Sequence, residues 1–284
     1  MNKDALVVKD LTVSLDNFTL DDISFSVPRG TILGIVGRNG AGKTTLIRTI
    51  AGIYDKKAGD IFINGYTVSE EKEYLKQLGI MTETGIFNMF HKVKRIKKML
   101  KKTYDHFDET FFDTYANTLE IDQEKRMLKL STGDQKKVNL ISVMSLNPQV
   151  LILDEPTANI DPISKRNIIE MLQTYLENEQ KTIVFATHQT ELLDKIADYL
   201  LIIEKGKVLL SGIKDDILAS HFLINVTQDI FKMHFENHCI CYKKTITGYD
   251  ILTQDKPLLD MLKLTYQMPS IEELLFYYVE GAKQ

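Results

Sequence analysis

No tryptophan occurs in the 284 residues, and cysteine appears only twice, at Cys239 and Cys241. Two cysteines cannot build a disulfide framework. In "HCICYKK" they lie two apart, so on a strand they would share a face, and they read as small apolar side chains of a reducing compartment. A metal site would need His234 or His238 to join them, and that spacing fits no zinc pattern. Long apolar runs are also missing. Stretches such as Tyr199-Leu-Leu-Ile-Ile203 are strand-sized, far below the roughly 20 residues that span a bilayer. The opening MNKDALVVKD has no apolar core of the kind a signal peptide needs, so neither export nor membrane spanning is expected. Positive charge is not in excess: 35 Lys and Arg against 39 Asp and Glu leave −4, which removes any global attraction to nucleic acid or anionic lipid. What remains is a globular composition, long enough for one large domain or a large one with a small appendage.

Glycine, with 15 occurrences, is concentrated where it matters. An apolar run from Ile32 to Val36 reads as a buried strand. It leads into Gly37-Arg38-Asn39-Gly40-Ala41-Gly42-Lys43-Thr44-Thr45, and then Leu46, Ile47, Ile50 and Ala51 recur at helical spacing. Strand, glycine loop and helix in that order mark a phosphate loop. Its backbone N–H groups turn inward around phosphate oxygens, and the helix N-terminus adds partial positive charge. Lys43 is expected to reach the outer phosphates and the Thr44 hydroxyl to bind Mg²⁺.

Two further strands complete such a site. "VLILDEPTANIDP" places four apolar residues, Val150 to Leu153, before Asp154 and Glu155, at the carboxyl end where open α/β sheets bind ligands. Asp154 is suited to hold the metal and Glu155 to orient and polarise an attacking water. "KTIVFATHQ" ends its apolar run at His188, an imidazole placed to meet a γ-phosphate and the water-activating carboxylate. A second glycine stretch, Leu130-Ser131-Thr132-Gly133-Asp134, reads locally as a helix cap, with Gln135 assisting and Val138, Ile141 and Ser142 continuing the helix.

In this order the motifs resemble those of ABC-transporter ATPase subunits: Gly37 to Thr44 as Walker A, Leu130 to Asp134 as signature, Leu151 to Glu155 as Walker B, Ala158 to Asp161 as D-loop and His188 as switch histidine. The likeness runs from about Leu6 to Gly212. It implies a P-loop α/β core with an antiparallel β subdomain and a short helical subdomain at about 86–147, together spanning 1–213, followed by a small α/β accessory extension over 214–284. It also implies ATP and Mg²⁺ as cofactors, and a membrane-spanning transporter subunit as partner with no nucleic acid bound. The expected place is the cytoplasmic face of the cell membrane, peripheral and held through that partner. In such proteins two ATPase domains dimerise head to tail, so Ser131, Thr132, Gly133 and Asp134 would act in trans on the partner's nucleotide, in a homodimer or a heterodimer with a related subunit.

Three positions depart from the family pattern, one of them Asp134, which ends the signature where glutamine is commoner. Leu15 falls near the usual adenine-stacking aromatic, with Phe18 the nearest aromatic residue, and Glu83 stands where glutamine is usual, an acid able to ligate Mg²⁺ but adding negative charge. Glu83 and the closing "PSIEELLFYYVEG" resemble ATPases of two-component bacterial exporters for drugs, antibiotic peptides and cytolytic peptides. In that ending Ser270 and Glu273 form a capping box, and Ile271, Leu274, Leu275, Tyr278 and Val279 make an apolar helix face. "HKVKRIKKMLKK" predicts a basic amphipathic helix, either simply solvated or facing the membrane and the acidic loops of the partner. The alternative function is a non-transport ABC-type ATPase, such as a translation or DNA-maintenance factor. Those usually carry two nucleotide domains or a long coiled coil, and neither is here. A small-molecule kinase leaves the signature and His188 without a role.

Overall fold

The computed structural model describes residues 4–68, 72–83, 85–177, 180–236 and 238–281. The chain begins with β1 (Asp4–Leu15), β2 (Phe18–Pro28), β3 (Ile32–Val36), α1 (Lys43–Ile50), β4 (Ala58–Ile63), β5 (Tyr66–Thr67) and β6 (Leu78–Met81). Helices α2 (Val93–Thr103), α3 (Glu109–Thr118) and α4 (Thr132–Met144) follow. Strand and helix then alternate through β7 (Val150–Asp154), α5 (Pro162–Leu176), β8 (Thr182–Ala186), α6 (Thr190–Ile196), β9 (Tyr199–Glu204) and β10 (Lys207–Ile213). The last stretch holds α7 (Lys214–Ala219), β11 (Phe222–Val226), α8 (Gln228–Ile230), β12 (Cys241–Lys244), β13 (Tyr249–Thr253), α9 (Lys256–Met261) and α10 (Ile271–Glu280).

The unbroken apolar runs become the centre of the molecule. Every residue of β3, β7 and β8 is buried, as expected of parallel strands covered on both faces. They form the middle of a six-stranded sheet, β10-β9-β3-β8-β7-β6, parallel except for β10 at its edge. One face carries Leu33, Ile35, Val184 and Leu201 against α1 and the inner side chains of the antiparallel sheet β2-β1-β4-β5. The other carries Ile32, Val36, Leu153 and Phe185 against α3, α4, α5 and α6. This is the mixed α/β ATPase architecture expected from the sequence.

The basic helix α2 buries only Val93 and Ile96 and shows its charge to solvent. Much of that charge is neutralised at short range. Lys97 meets Asp113 at 2.9 Å, Lys101 meets Glu109 at 2.5 Å, and Lys92 and Lys94 share Glu124. Arg95, Lys98 and Lys102 have no ion pair among the described residues.

Beyond β10 a three-stranded antiparallel sheet, β11-β13-β12, covers a small core of its own built on Phe222, Ile224, Phe231, Phe235 and Ile251. Phe231 stacks on Tyr249 with ring centroids 4.0 Å apart. Helix α10 does not join that cluster. Its Ile271, Leu274 and Tyr277 return to the main core, where Leu193 and Ile196 of α6 lie. Of the two cysteines only Cys241 lies in a strand and is buried. Cys239 precedes β12 and is half-buried.

Candidate functional site

The glycine loop closes the carboxyl end of β3 and opens α1. Gly40 and Gly42 hold φ of 81° and 114°, a left-handed region that side chains avoid. A Cβ on Gly42 would also strike Phe18 and Leu20 at 2.8 Å, so this loop lies tightly against the β1–β2 hairpin. Lys43 is buried, and its ammonium donates to the carbonyls of Gly37 (2.7 Å) and Arg38 (3.2 Å). Burial lowers its pKa, and the nearby carboxylates of Glu155 and Asp154 oppose that shift.

The end of β7 supplies the acidic half. The Thr44 hydroxyl donates to Asp154 Oδ2 at 2.9 Å. Burial raises the Asp154 pKa, while the Thr44 hydrogen bond works against it. Glu155 takes a left-handed φ of 49° and is buried. Its carboxylate is fixed from the end of β8: the Thr187 hydroxyl donates to Oε2 (3.1 Å), the His188 backbone N–H donates to Oε1 (2.9 Å), and His188 Nδ1 lies 2.8 Å from Oε1. A non-glycine residue in that backbone region costs on the order of 1 kcal/mol, and here three hydrogen bonds hold it.

A cleft of about 520 Å³ gathers these groups. Gly40, Ala41, Gly42, Lys43, Thr44, Thr45 and Asn39 line it beside Asp154, Glu155, His188 and Glu83. Gly37 does not line the cleft, and a Cβ added to it would lie 2.4 Å from the Ile203 carbonyl oxygen. Phe18 stands at the rim, so the nearest aromatic reaches the cleft, while Leu15 is exposed and does not line it. A larger open groove of about 1100 Å³ between α5, α6 and α10 meets the site only at His188 and holds no glycine loop.

Signature residues stand elsewhere. Ser131 caps α4, accepting from the Asp134 backbone N–H at 3.1 Å, and Gln135 donates to the carbonyls of Met127 and Leu130. Ser131 and Thr132 are exposed, and none of Ser131 to Asp134 lines the cleft. Gly133 is pressed against the D-loop, where an added Cβ would lie 2.6 Å from the Asn159 carbonyl oxygen. Lys137 bridges the two motifs, 3.2 Å from Asp134 and 3.5 Å from Asp161. Lys136 donates to the Glu155 carbonyl at 2.9 Å and so ties α4 to β7. Asp161 caps α5 by accepting from Ser164 N–H at 2.9 Å, which lowers its pKa to about 2.

Sequence reasoning gave no role to Arg38 or Lys136, and it placed Ala158 in the D-loop without foreseeing that it lines the cleft. Arg38 lines the cleft and pairs with Glu280 of α10 at 2.7 Å, a contact that no local pattern announces. Lys136 was legible only as a helix residue. The cleft fits a nucleotide triphosphate with its metal. A buried ammonium and a glycine loop that leaves no room for a Cβ at Gly37 or Gly42 suit polyphosphate, and the Thr44–Asp154 pair of oxygen donors suits Mg²⁺.

Residues 20–158 match the family described as ABC transporter. An uncharacterised ABC transporter ATP-binding protein of Methanocaldococcus jannaschii is 34% identical over 220 residues, covering 76% of this chain and 80% of that protein. The chain belongs to the ABC transporter ATP-binding family. The methionine import ATP-binding protein MetN of Wolinella succinogenes is 28% identical over 251 residues, covering 83% of this chain and 82% of MetN. A solved ATP-binding subunit of an ABC transporter superposes with a TM-score of 0.70 at 25% identity, over 76% of this chain and 92% of that one. This ABC subunit therefore binds ATP with Mg²⁺ and hydrolyses it to power transport through a membrane-spanning partner. Among the described residues no helix is long and apolar enough to cross a membrane.

Proposed function

We propose that this ABC subunit works as a nucleotide-sandwich dimer on the cytoplasmic face of the membrane and drives export of a drug, an antimicrobial peptide or a cytolytic peptide. One observation carries the sandwich. The signature residues Ser131 to Asp134 open helix α4, with Ser131 and Thr132 exposed, away from the cleft made by their own chain's Lys43, Asp154 and Glu155. A phosphate grip that cannot serve its own cleft serves a second copy's, or that of a related subunit. The division at 213/214, with residues 214–284 as an accessory extension, belongs to the same reading.

Within each cleft the residues divide the work. Lys43 and the loop N–H groups of Gly40 to Thr45 hold the phosphates, and Phe18 lies within reach of the base. Thr44 and Asp154, with Glu83 beside them, would hold Mg²⁺, which neutralises charge on the transferring phosphoryl group. Glu155 orients the attacking water and takes up its proton. His188 and Thr187 fix the Glu155 carboxylate, and His188 is left with Nε2 for the terminal phosphate. From the partner, Ser131 and Gly133 close over the phosphates, and Asp161 positions the D-loop between the two sites. Exposed Phe90 and Leu128, whose segments are tied by the Leu128 N–H to Met89 carbonyl bond, offer apolar surface for the membrane subunit.

Glu83 and the ending Pro269 to Gly281 support export; the similarity to MetN favours import as the second reading. The test is flux in proteoliposomes holding the co-purified membrane subunit, with MgATP added outside. Accumulation of an amphipathic peptide or drug in the lumen, abolished by Glu155→Gln, is the expected result. ATP-driven loss of a solute from a loaded lumen would establish import instead.

A further inference from the structure

Two consecutive lysines early in α4, Lys136 and Lys137, are almost wholly buried, at 5% and 6% exposure. A buried ammonium persists only where partners offset its lost hydration. Lys136 donates to one carbonyl, that of Glu155 at 2.9 Å. Lys137 stands instead between two carboxylates. Asp134 Oδ1 of the signature lies at 3.2 Å and Asp161 Oδ2 of the D-loop at 3.5 Å, with the Leu119 carbonyl also at 3.5 Å. No other cation pairs with either acid among the described residues.

The signature serine makes that placement matter. The Ser131 hydroxyl donates to Asp134 Oδ2 at 2.8 Å, while its oxygen accepts from the Asp134 backbone N–H at 3.1 Å. A hydroxyl has one proton to give, and here its own chain's carboxylate takes it. For Ser131 to donate to a phosphate oxygen, that proton must turn away from Asp134 and leave the carboxylate with Lys137. An Asp134 without its cation would also meet the phosphate as a like charge. The D-loop side is held independently. Asp161 Oδ1 accepts from the Ser164 N–H at 2.9 Å, and Gly133 is so close to the Asn159 carbonyl that an added Cβ would lie 2.6 Å from its oxygen. Signature and D-loop therefore meet through backbone as well as through the Lys137 ammonium.

We infer that Lys137 is a positioning residue of the ATPase: it neutralises Asp134, frees the Ser131 hydroxyl for a phosphate, and keeps signature and D-loop as one unit. The inference rests on the proposed action of the signature on a second copy's nucleotide. Steady-state ATPase with the membrane subunit, MgADP affinity and urea unfolding of the full chain test it together. MgADP reads the chain's own cleft, which Lys137 does not line. Lys137→Met keeps the length of the side chain and removes its charge. Its kcat should fall about tenfold or more, since a misplacement of about 1 Å can cost on the order of a hundredfold, while MgADP affinity stays within about twofold. Urea curves fix conditions in which every variant is folded, so a lysine that only stabilised the fold would leave kcat there unchanged. Adding Asp134→Gln, which removes the charge that Lys137 cancels, should restore turnover by about fivefold or more over Lys137→Met alone. Turnover of Lys137→Met within about twofold of wild type, loss of MgADP affinity in step with turnover, or no recovery with Asp134→Gln would each overturn the inference. Ser131→Arg separates it from the reading beneath it. An inactive Ser131→Arg beside an active Lys137→Met removes the role of the lysine alone, and an active Ser131→Arg removes both.

Discussion

Gly133 shows how one residue serves two contacts. Its missing Cβ lets α4 approach the Asn159 carbonyl, and backbone cannot step aside as a flexible side chain can. Gly133→Ala should therefore fold but lose about 1–3 kcal/mol, as overpacked sites do, and should also lower ATP turnover. Urea unfolding checks the first part; unchanged stability would mean that the contact is loose. His221 offers a pH test at the same scale. It is buried, with Nδ1 2.7 Å from the Ile217 carbonyl and Nε2 2.9 Å from the Tyr278 hydroxyl, a pattern that suits the neutral ring. Gln254 and Ser220 also contact the ring, and Tyr278, its pKa pushed up to about 12 by burial, remains a donor. Burial lowers the His221 pKa below the ordinary value of about 6.5. The unfolded chain then binds the proton first, so stability is full above about pH 6.5 and falls as pH drops toward the folded value. In His221→Gln the urea midpoint should lose that part of its pH dependence.

Helix α10 is the element whose placement decides most about the extension. Ser270 and Glu273 form the capping box that the sequence announced, and the helix's apolar face docks on the main core rather than on the neighbouring three-stranded sheet. Ser270→Ala should cost about 1 kcal/mol. Faster amide exchange confined to 271–281 would locate the effect, and unchanged exchange there would contradict it. The cap was legible because its partners lie three residues apart. The glycine loop, the acidic end of β7 and the uninterrupted runs of β3 and β8 were legible for the same reason: each motif is contiguous, and burial on both faces leaves an unmistakable apolar string. Pairings across the chain were not. Arg38 meets Glu280 at a separation of 242 residues, and Phe18 rather than Leu15 reaches the cleft because of how the hairpin folds over Gly42. Neither has any periodic trace in sequence. The basic run of α2 was legible as a solvated amphipathic helix, but its ion-pair partners were not. Lys92, Lys94, Lys97 and Lys101 meet Glu109, Asp113 and Glu124, residues that a reading of the run alone does not see.

At the scale of the whole molecule, the proposed sandwich turns the separation of Ser131 to Asp134 from their own cleft into a prediction: each chain would be half of two composite sites. Lys43→Ala disables a chain's phosphate loop but leaves its signature intact. Ser131→Arg does the reverse, since a bulky cation at the exposed cap of α4 blocks the grip without touching the cleft. Either variant alone should be inactive. Mixed in equal amounts, half of the dimers pair the two types, and each mixed dimer keeps one intact phosphate loop facing one intact signature. Because a two-fold assembly distributes protomers at random, ATP turnover should recover to about a quarter of the wild-type rate. The recovery should rise with protein concentration, because nucleotide binding and dimer assembly are linked. A steady-state ATPase assay on the mixture, in the presence of the membrane subunit, reads this directly. Sites completed within one chain would give no recovery at any concentration, since no mixing of two damaged chains repairs a site that belongs to one.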